Sequence, residues 1–479
     1  MSNNYDYDAI IIGAGISGLV CGCYLAKAGI KTLILEKQPT AGGYCSSFIR
    51  KDYRFDTSIH YIGGVRRGSL ATVLNELELD KLLFKQIDPS DRVLLPDSET
   101  RIRANPLDTL NEFKESFSED SSNLISFFDF IRQNSYPEII RKIGNLTFKE
   151  LLDSYFQSIN LKASVDTLLL GNMGLPSSEI SAITGIVFFR EFLLDPGYYP
   201  EGGFQKFADN FVDKFKFYGG KIFFSDEVKA ISAENNRILG VITEKNGFLS
   251  SKYVVSSIDT TLLFKKLIKL NTPEKKIVDK LIPSGSIFSN YLGLNKNIKK
   301  ILGSNSNIWI VSTQDIQRSY RNLKENIDCN TVQLLMMTFP TYKDVDKGNE
   351  NKSSIEIFTP APFNSKEYWQ QKRIQLSKVV LDMAEKIIPD LRSYIDLEVT
   401  ATPQTFYKYT YNRDGAAFGW ASNKIQTVHP SLSQKTSIGN LFLAGHWITL
   451  SAGQSGVSTV ALSGKKAAGL VIETSRKNR

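Results

Sequence analysis

The spacing of apolar and polar residues changes period within the first forty positions. Asp8 to Ile12 is a short β-branched apolar run that predicts a strand. It stops at Gly13-Ala14-Gly15-Ile16-Ser17-Gly18, after which Leu19 to Ala28 reads as a helix closed by Gly29. Lys31 to Leu35 alternates into a second strand, and Glu36 stands at its end. Farther along, Leu124, Phe127, Phe128 and Phe130 and the run Ile186 to Leu194 predict helices across about 76 to 196. A strand is expected over Ile222 to Ile231, and others over Thr331 to Phe339 and Ser354 to Phe358. A long helix is expected from Lys366 to Ile388, ended by Pro389. Asp344 to Ser353 is the most loop-like stretch, and no internal repeat or low-complexity tail interrupts the chain.

The opening order of strand, glycine turn, helix, strand and acid has a chemical meaning. Gly13 permits the turn, Gly15 lets backbone approach a pyrophosphate, and Gly18 lets the helix pack against the sheet. The free N–H groups of the first helical turn, at Ile16 and Ser17, then face phosphate with the helix dipole behind them. Glu36 is placed to accept hydrogen bonds from an adenosine ribose, and its charge repels a 2′-phosphate. After Glu36 come Lys37 and, a loop later, Gly42-Gly43-Tyr44. A second glycine pair at that distance is how dinucleotide-binding flavoproteins pass over their cofactor, so FAD is expected rather than NAD.

Composition narrows the rest. With 479 residues, 42% hydrophobic and 23% charged, the chain is too long for one compact core, and two domains are expected. Three histidines (His60, His429, His446) and four cysteines (Cys21, Cys23, Cys45, Cys329) fit no metal-site spacing, so no metal is expected. Cys21 and Cys23 are one residue apart, not two, and read as small buried hydrophobes of a reducing compartment. The apolar run from Ala9 to Leu35 imitates a signal peptide, yet MSNNYDYD before it is acidic and Gly13, Gly15, Gly18 and Lys27 break it. A cytoplasmic protein that spans no bilayer is expected. The net charge of +8 is lysine-rich and not clustered with arginine and aromatics, which argues against nucleic acid as a partner. Phe264 to Lys300 concentrates nine lysines against Glu274 and Asp279. It reads as a solvated face, with peripheral contact to an anionic membrane surface as the alternative.

With these residues in view the chain resembles the phytoene desaturase-like FAD oxidoreductases, nearest their carotenoid isomerase and retinol saturase branch. The matching pieces are GAGISGL, LEK, AGGYCSSF and Phe55 to Gly63 at one end, and Tyr199 to Phe204 in the middle. Toward the other end they are Asn440 to His446, Gly453 to Val457, and Ala461 to Gly464. The resemblance implies that Val228 meets the adenine and that Gly445, His446, Gly456 and Val457 close around the flavin. His446 stands where that family often carries Asp, and Tyr44 stands where amine oxidases commonly carry Arg. His60 and His446 are the candidate proton-relaying residues near the flavin ring. Tyr409, Tyr411 and Trp420 are weaker candidates for its border.

The fold class implied is α/β: a Rossmann-type FAD-binding domain of the amine-oxidase-like flavoprotein kind, with an inserted α+β substrate domain. The FAD domain is expected to gather residues 1–75, 197–262 and 425–479, and the substrate domain 76–196 and 263–424. The resemblance implies an FAD-dependent oxidoreductase or isomerase that saturates, desaturates or isomerises a large hydrophobic polyene or isoprenoid by hydride chemistry at flavin N5. A flavin amine oxidase is the alternative enzyme. A non-enzymatic carrier of the GDP-dissociation inhibitor type, with the same fold and no cofactor, is the alternative of another class, and the intact glycines and Glu36 argue against it. No second nucleotide-binding unit is present, so electrons must come or go by transient NAD(P)H docking, a quinone, oxygen or an electron-transfer partner.

Overall fold

The computed structural model describes residues 5–325, 332–343, 351–428, 432–448 and 456–477. His429, Cys329, most of the loop-like stretch (344–350) and 453–455 of the closing motif lie outside them. Strand Tyr7–Ile12 pairs in parallel with Thr32–Leu35 on one side and with the end of Gly247–Ser256 on the other. Lys221–Phe223 adds beyond Thr32–Leu35, and Leu441–Leu443 adds beyond Gly247–Ser256, both parallel. Both faces of this sheet are covered. Ala9 and Ile11 pack with the core of helices Ile16–Lys27, Gly203–Phe217 and Val457–Lys477, whereas Ile10 and Ile12 pack with Leu263, Phe264 and Leu267. A parallel strand buried on two faces reads as an unbroken apolar run, which is how Ala9 to Ile12 reads.

The expected strand from Ile222 to Ile231 is two strands. Lys221–Phe223 belongs to the parallel sheet, and Val228–Glu234 starts an antiparallel ribbon with Arg237–Thr243 and Gly247–Ser256. The break lies at Ser225, whose φ of 52° is left-handed, and at Asp226. The Asp226 carboxylate accepts from Lys245 N–H at 2.9 Å and Asn246 Nδ2 at 2.6 Å, tying the turn to the ribbon's other end.

A second sheet of seven strands runs Ile395–Ala401, Ser286–Leu294, Ser353–Ala361, Leu334–Thr338, Asn307–Val311, Asp91–Leu94, Glu99–Ile102. It is antiparallel except between Asn307–Val311 and Asp91–Leu94. The segment from 76 to 196 is therefore not all helical. It opens with three- and four-residue strands, too short for period-two alternation to stand out, and turns helical only from Pro106–Ser116 to Ala182–Leu194. Helix Lys366–Ala384 ends four residues before the expected Ile388. Lys386 and Ile387 already bond to carbonyls three residues back, the tightened turn that Pro389 imposes on what precedes it. Ile287 and Tyr291 face the helical layer, while Phe288, Leu292 and Leu294 face Trp369, Leu376 and Val380.

Two glycines set how tightly the nucleotide side closes. A Cβ at Gly18 would lie 2.1 Å from the Gly13 carbonyl oxygen, and one at Gly464 would lie 2.2 Å from that of Ser17. The first and last long helices thus touch backbone to backbone. Among the described residues, no helix is long and apolar enough to cross a membrane.

Candidate functional site

Where the first strand meets its helix, the main chain is left bare. Gly15 has an ordinary φ of −67°, and a Cβ there would meet nothing within 4 Å, because it would project into open cavity. The Gly42 N–H donates to Ala14 O at 2.9 Å and brings the second glycine pair alongside the first. Gly42 sits at φ 115°, a conformation open essentially to glycine. Glu36 is fixed by two backbone donors, Ala14 N–H to Oε2 and Gln38 N–H to Oε1, each 2.8 Å. Burial pulls its pKa upward and those two N–H groups pull it back. Ser257 Oγ donates to Ile12 O at 2.9 Å and so joins the adjacent strand end to the turn.

From this cradle a cavity of about 2140 Å³, counting the space open to solvent, runs toward the second sheet. Its near wall carries Gly15, Glu36, Gly43, Val228, Gly445 and Val457, and its far wall carries Met173, Val187, Phe188, Phe192, Ile287 and Phe358. The helix bearing Met173 lies so close to the second sheet that a Cβ at Gly171 would sit 1.9 Å from the Trp309 ring. His60 and His446 both reach the cavity. The His60 ring stacks on Phe358 with centroids 4.8 Å apart, and its Nδ1 is buried without a hydrogen-bond partner among the described residues. Burial, then the charge of Lys343, hold its pKa well below the usual histidine value. The His446 ring lies 6.1 Å from that of Tyr44, and burial lowers its pKa to about 4.

Residues 16–472 match the model of the flavin-containing amine oxidoreductases. The chain belongs to that family. Across the family, this oxidoreductase is similar to rat all-trans-retinol 13,14-reductase, 23% identical with 91% of this chain and 82% of that protein covered. It is similar to 1-hydroxycarotenoid 3,4-desaturase of Flavobacterium sp. (strain P99-3), 25% identical over 97% and 99%. It is similar also to the chloroplastic prolycopene isomerase of Daucus carota, 23% identical over 88% and 72%. An oxidoreductase from Methanosarcina mazei has the same fold, with a TM-score of 0.70 at 18% identity over 96% of this chain and 99% of that one. A flavin is therefore the cofactor of this oxidoreductase. The cradle fits the diphosphate of FAD, since bare backbone at Gly15 and Gly43 and the oriented Glu36 carboxylate face one continuous space.

The structure brings nearly all the residues singled out in the sequence to one cavity: Gly13, Ile16, Ser17, Lys37, Gly42, Tyr44 and Gly456 line it with those named above. Gly18 does not reach it and serves the packing just described. Lys37 Nζ lies 3.3 Å over the Tyr411 ring, and burial lowers its pKa to about 8. Tyr44 Oη donates to Ala416 O at 2.8 Å. Tyr409 and Tyr411 line the cavity. Trp420 does not. It is a core residue whose ring packs edge-on against Trp447 and whose Nε1 donates to the Trp447 carbonyl at 3.1 Å.

Behind the His60 segment lies a buried polar network that the sequence reading missed. Lys343, fully buried, donates to the His60 carbonyl at 2.9 Å, to Thr338 Oγ1 at 2.6 Å and to Asn307 Oδ1. Burial drags its pKa to about 7, opposed by the charge of Asp91 and by three acceptors that use every N–H of the ammonium form. Asp91 accepts from Tyr61 Oη at 2.6 Å and Trp309 Nε1 at 2.8 Å. Asp56 accepts from Tyr199 Oη at 2.6 Å. Glu356 accepts from Ser289 Oγ at 3.0 Å, its Oε2 has no partner among the described residues, and burial raises its pKa to about 8. Lys343 has no sequence signal, because it borders the loop-like stretch. Glu191 had one: a lone acid within the apolar run Ile186 to Leu194, on the cavity wall.

Proposed function

We propose that this FAD-dependent oxidoreductase acts on a large hydrophobic polyene or isoprenoid of carotenoid or retinoid kind, saturating, desaturating or isomerising it. One observation carries the reading: the dinucleotide cradle opens directly onto a wall of Met173, Val187, Phe188, Phe192 and Phe358, apolar enough for a hydrocarbon chain. The names of the reductase, desaturase and isomerase relatives support it. Bound flavin supplies hydride acceptance or donation at N5. The chain holds it through Ile16, Ser17, Gly42 and Gly43 at the diphosphate, Glu36 at the ribose and Val228 at the adenine. Gly445, His446, Gly456 and Val457 then close around the ring system. His60 and His446 reach the same cavity, as candidates to relay a proton or to orient the ring.

The nucleotide domain is assigned to 1–75, 197–262 and 425–479, and the substrate domain to 76–196 and 263–424. Electrons reach or leave the flavin by transient NAD(P)H docking, a quinone, oxygen or an electron-transfer partner. A cytoplasmic location is supported by free, buried Cys21, Cys23 and Cys45. Peripheral membrane contact is supported by exposed Lys265, Lys266, Lys296, Lys299 and Lys300 with Ile282 54% exposed among them.

The test is to reduce the flavin anaerobically and add candidate polyenes. Reoxidation, or a product with one double bond gained, lost or isomerised, is expected. Hydrogen peroxide release on adding amines, with polyenes inert, would favour the amine oxidase. A colourless protein that cannot take up FAD would favour the carrier.

A further inference from the structure

Hydride exchange with a carbon–carbon double bond leaves a proton to be placed, and burial holds both cavity histidines below the usual imidazole range. We propose that Glu191 is the group that gives and takes this proton, an inference that rests on the polyene reading of the same cavity. Glu191 lines the cavity from helix Ala182–Leu194, with Val187 and Phe188 one turn back and Phe192 next to it, and its carboxyl group lies against Gly64 and Ser69. Ser69 Oγ donates a long hydrogen bond to its Oε1, at 3.3 Å. Ser69 Oγ lies equally far from the Ser458 carbonyl, so Glu191 shares that hydroxyl.

No salt bridge is found for it among the described residues. Arg190 beside it is turned to the carbonyls of Ile131 and Asn134, on the outer side of the helix. Asp195, one turn on, adds a like charge, while its own carboxylate is taken up by the N–H groups of Arg66 and Arg67. Tyr136, from the helix packed outside, is the other titratable group that feels Glu191, and Ser69 and Ser458 face it from the remaining elements. Burial raises its pKa to about 7, with Asp195 reinforcing and the two serines opposing. A carboxyl in that range is matched to proton exchange near neutrality.

In the saturating direction a bound reduced flavin would supply the hydride, with both electrons, to one carbon of the double bond and would be left oxidised. Glu191 gives its proton to the other carbon, two C–H bonds replace the π bond, and the resulting carboxylate regains its proton from solvent. In desaturation the Glu191 carboxylate takes the proton, and the hydride would pass to oxidised flavin.

The experiment uses the purified holoprotein, wild type, Glu191→Gln and Glu191→Asp. Infrared difference spectra across pH 5 to 9 are expected to show, beside the protonated-carboxyl signals that buried Glu356 and Asp166 give in every variant, a component lost with a midpoint near 7 in wild type and missing from E191Q. That component unchanged in E191Q overturns the assignment whatever the substrate proves to be. Flavin content is expected to be equal in all three proteins. With dithionite-reduced protein and the polyene that reoxidises wild type, E191Q is expected to reoxidise at least 100-fold more slowly, with E191D partly restoring the rate and its pH profile. A rate in E191Q within threefold of wild type also overturns it. Should no polyene reoxidise wild type, the polyene reading fails while the infrared result still decides whether Glu191 exchanges a proton in the cavity.

Discussion

Around Gly15 the cavity wall is main chain, and around Phe188 it is side chain. The first surface is made by removing atoms: bare glycine backbone, an acid held by two N–H groups, and two helices that touch without Cβ atoms between them. The second is made by filling space, with aromatic and branched side chains in front and a buried lysine–carboxylate network behind. The glycine surface recognises a ligand of fixed geometry and tolerates little change. The apolar surface sets a shape, and shape admits many substitutions of similar volume.

This contrast predicts a graded series. Gly18→Val should be the most damaging change, since its Cβ meets backbone at 2.1 Å. Soluble protein should be nearly absent, checked by expression and circular dichroism. Gly15→Leu, three residues away, is the sharper test. Its φ suits any L residue and its side chain enters the cavity, so the chain should fold with an apoprotein Tm close to wild type. Its flavin content should nonetheless fall below about a tenth of wild type. Equal flavin in G15L would break the assignment of the cradle.

Lys343→Met leaves the His60 carbonyl and Asn307 Oδ1 without their donor, removes the cation that faces buried Asp91, and should cost about 3–5 kcal/mol of stability, read as a lowered Tm with flavin still bound. Glu36→Ala should weaken FAD by about 1.5–3 kcal/mol, roughly 10- to 100-fold in Kd by titration, and leave the fold intact. The smallest effect concerns pH. The Glu356 pKa in the folded protein, about 8, lies above its ordinary 4.5, so its contribution to stability is complete below about 4.5 and is lost as pH climbs through 8. The difference in Tm between wild type and Glu356→Gln should therefore shift against wild type from pH 5 to 9.

The same contrast explains what was legible in the sequence. The nucleotide surface depends on residues spaced along one short segment, so Gly13, Gly15, Ile16, Ser17, Glu36 and Gly42-Gly43 could be read in order and fell together in the cavity. The Ile222 to Ile231 strand was misjudged because Ser225 breaks it by backbone conformation alone, which apolar periodicity does not register. Asp91, Lys343 and Glu356 come from three places in the chain and acquire meaning only when the second sheet folds. Their burial contradicts the expectation that charged residues mark surface. Trp420 was drawn toward the flavin by its neighbours in sequence, yet the indole needed a partner for its N–H and found it in the core.

The pairing of Leu441–Leu443 with Gly247–Ser256 has a bearing on biosynthesis. In a nascent chain the glycine turn leaves the ribosome long before the strand and helix that complete its sheet. Contacts so distant along the polypeptide are slow to form, and they wait until Leu441–Leu443 has been made. Loading with cofactor must wait as well, and a chain stopped after Gly439 should never turn yellow.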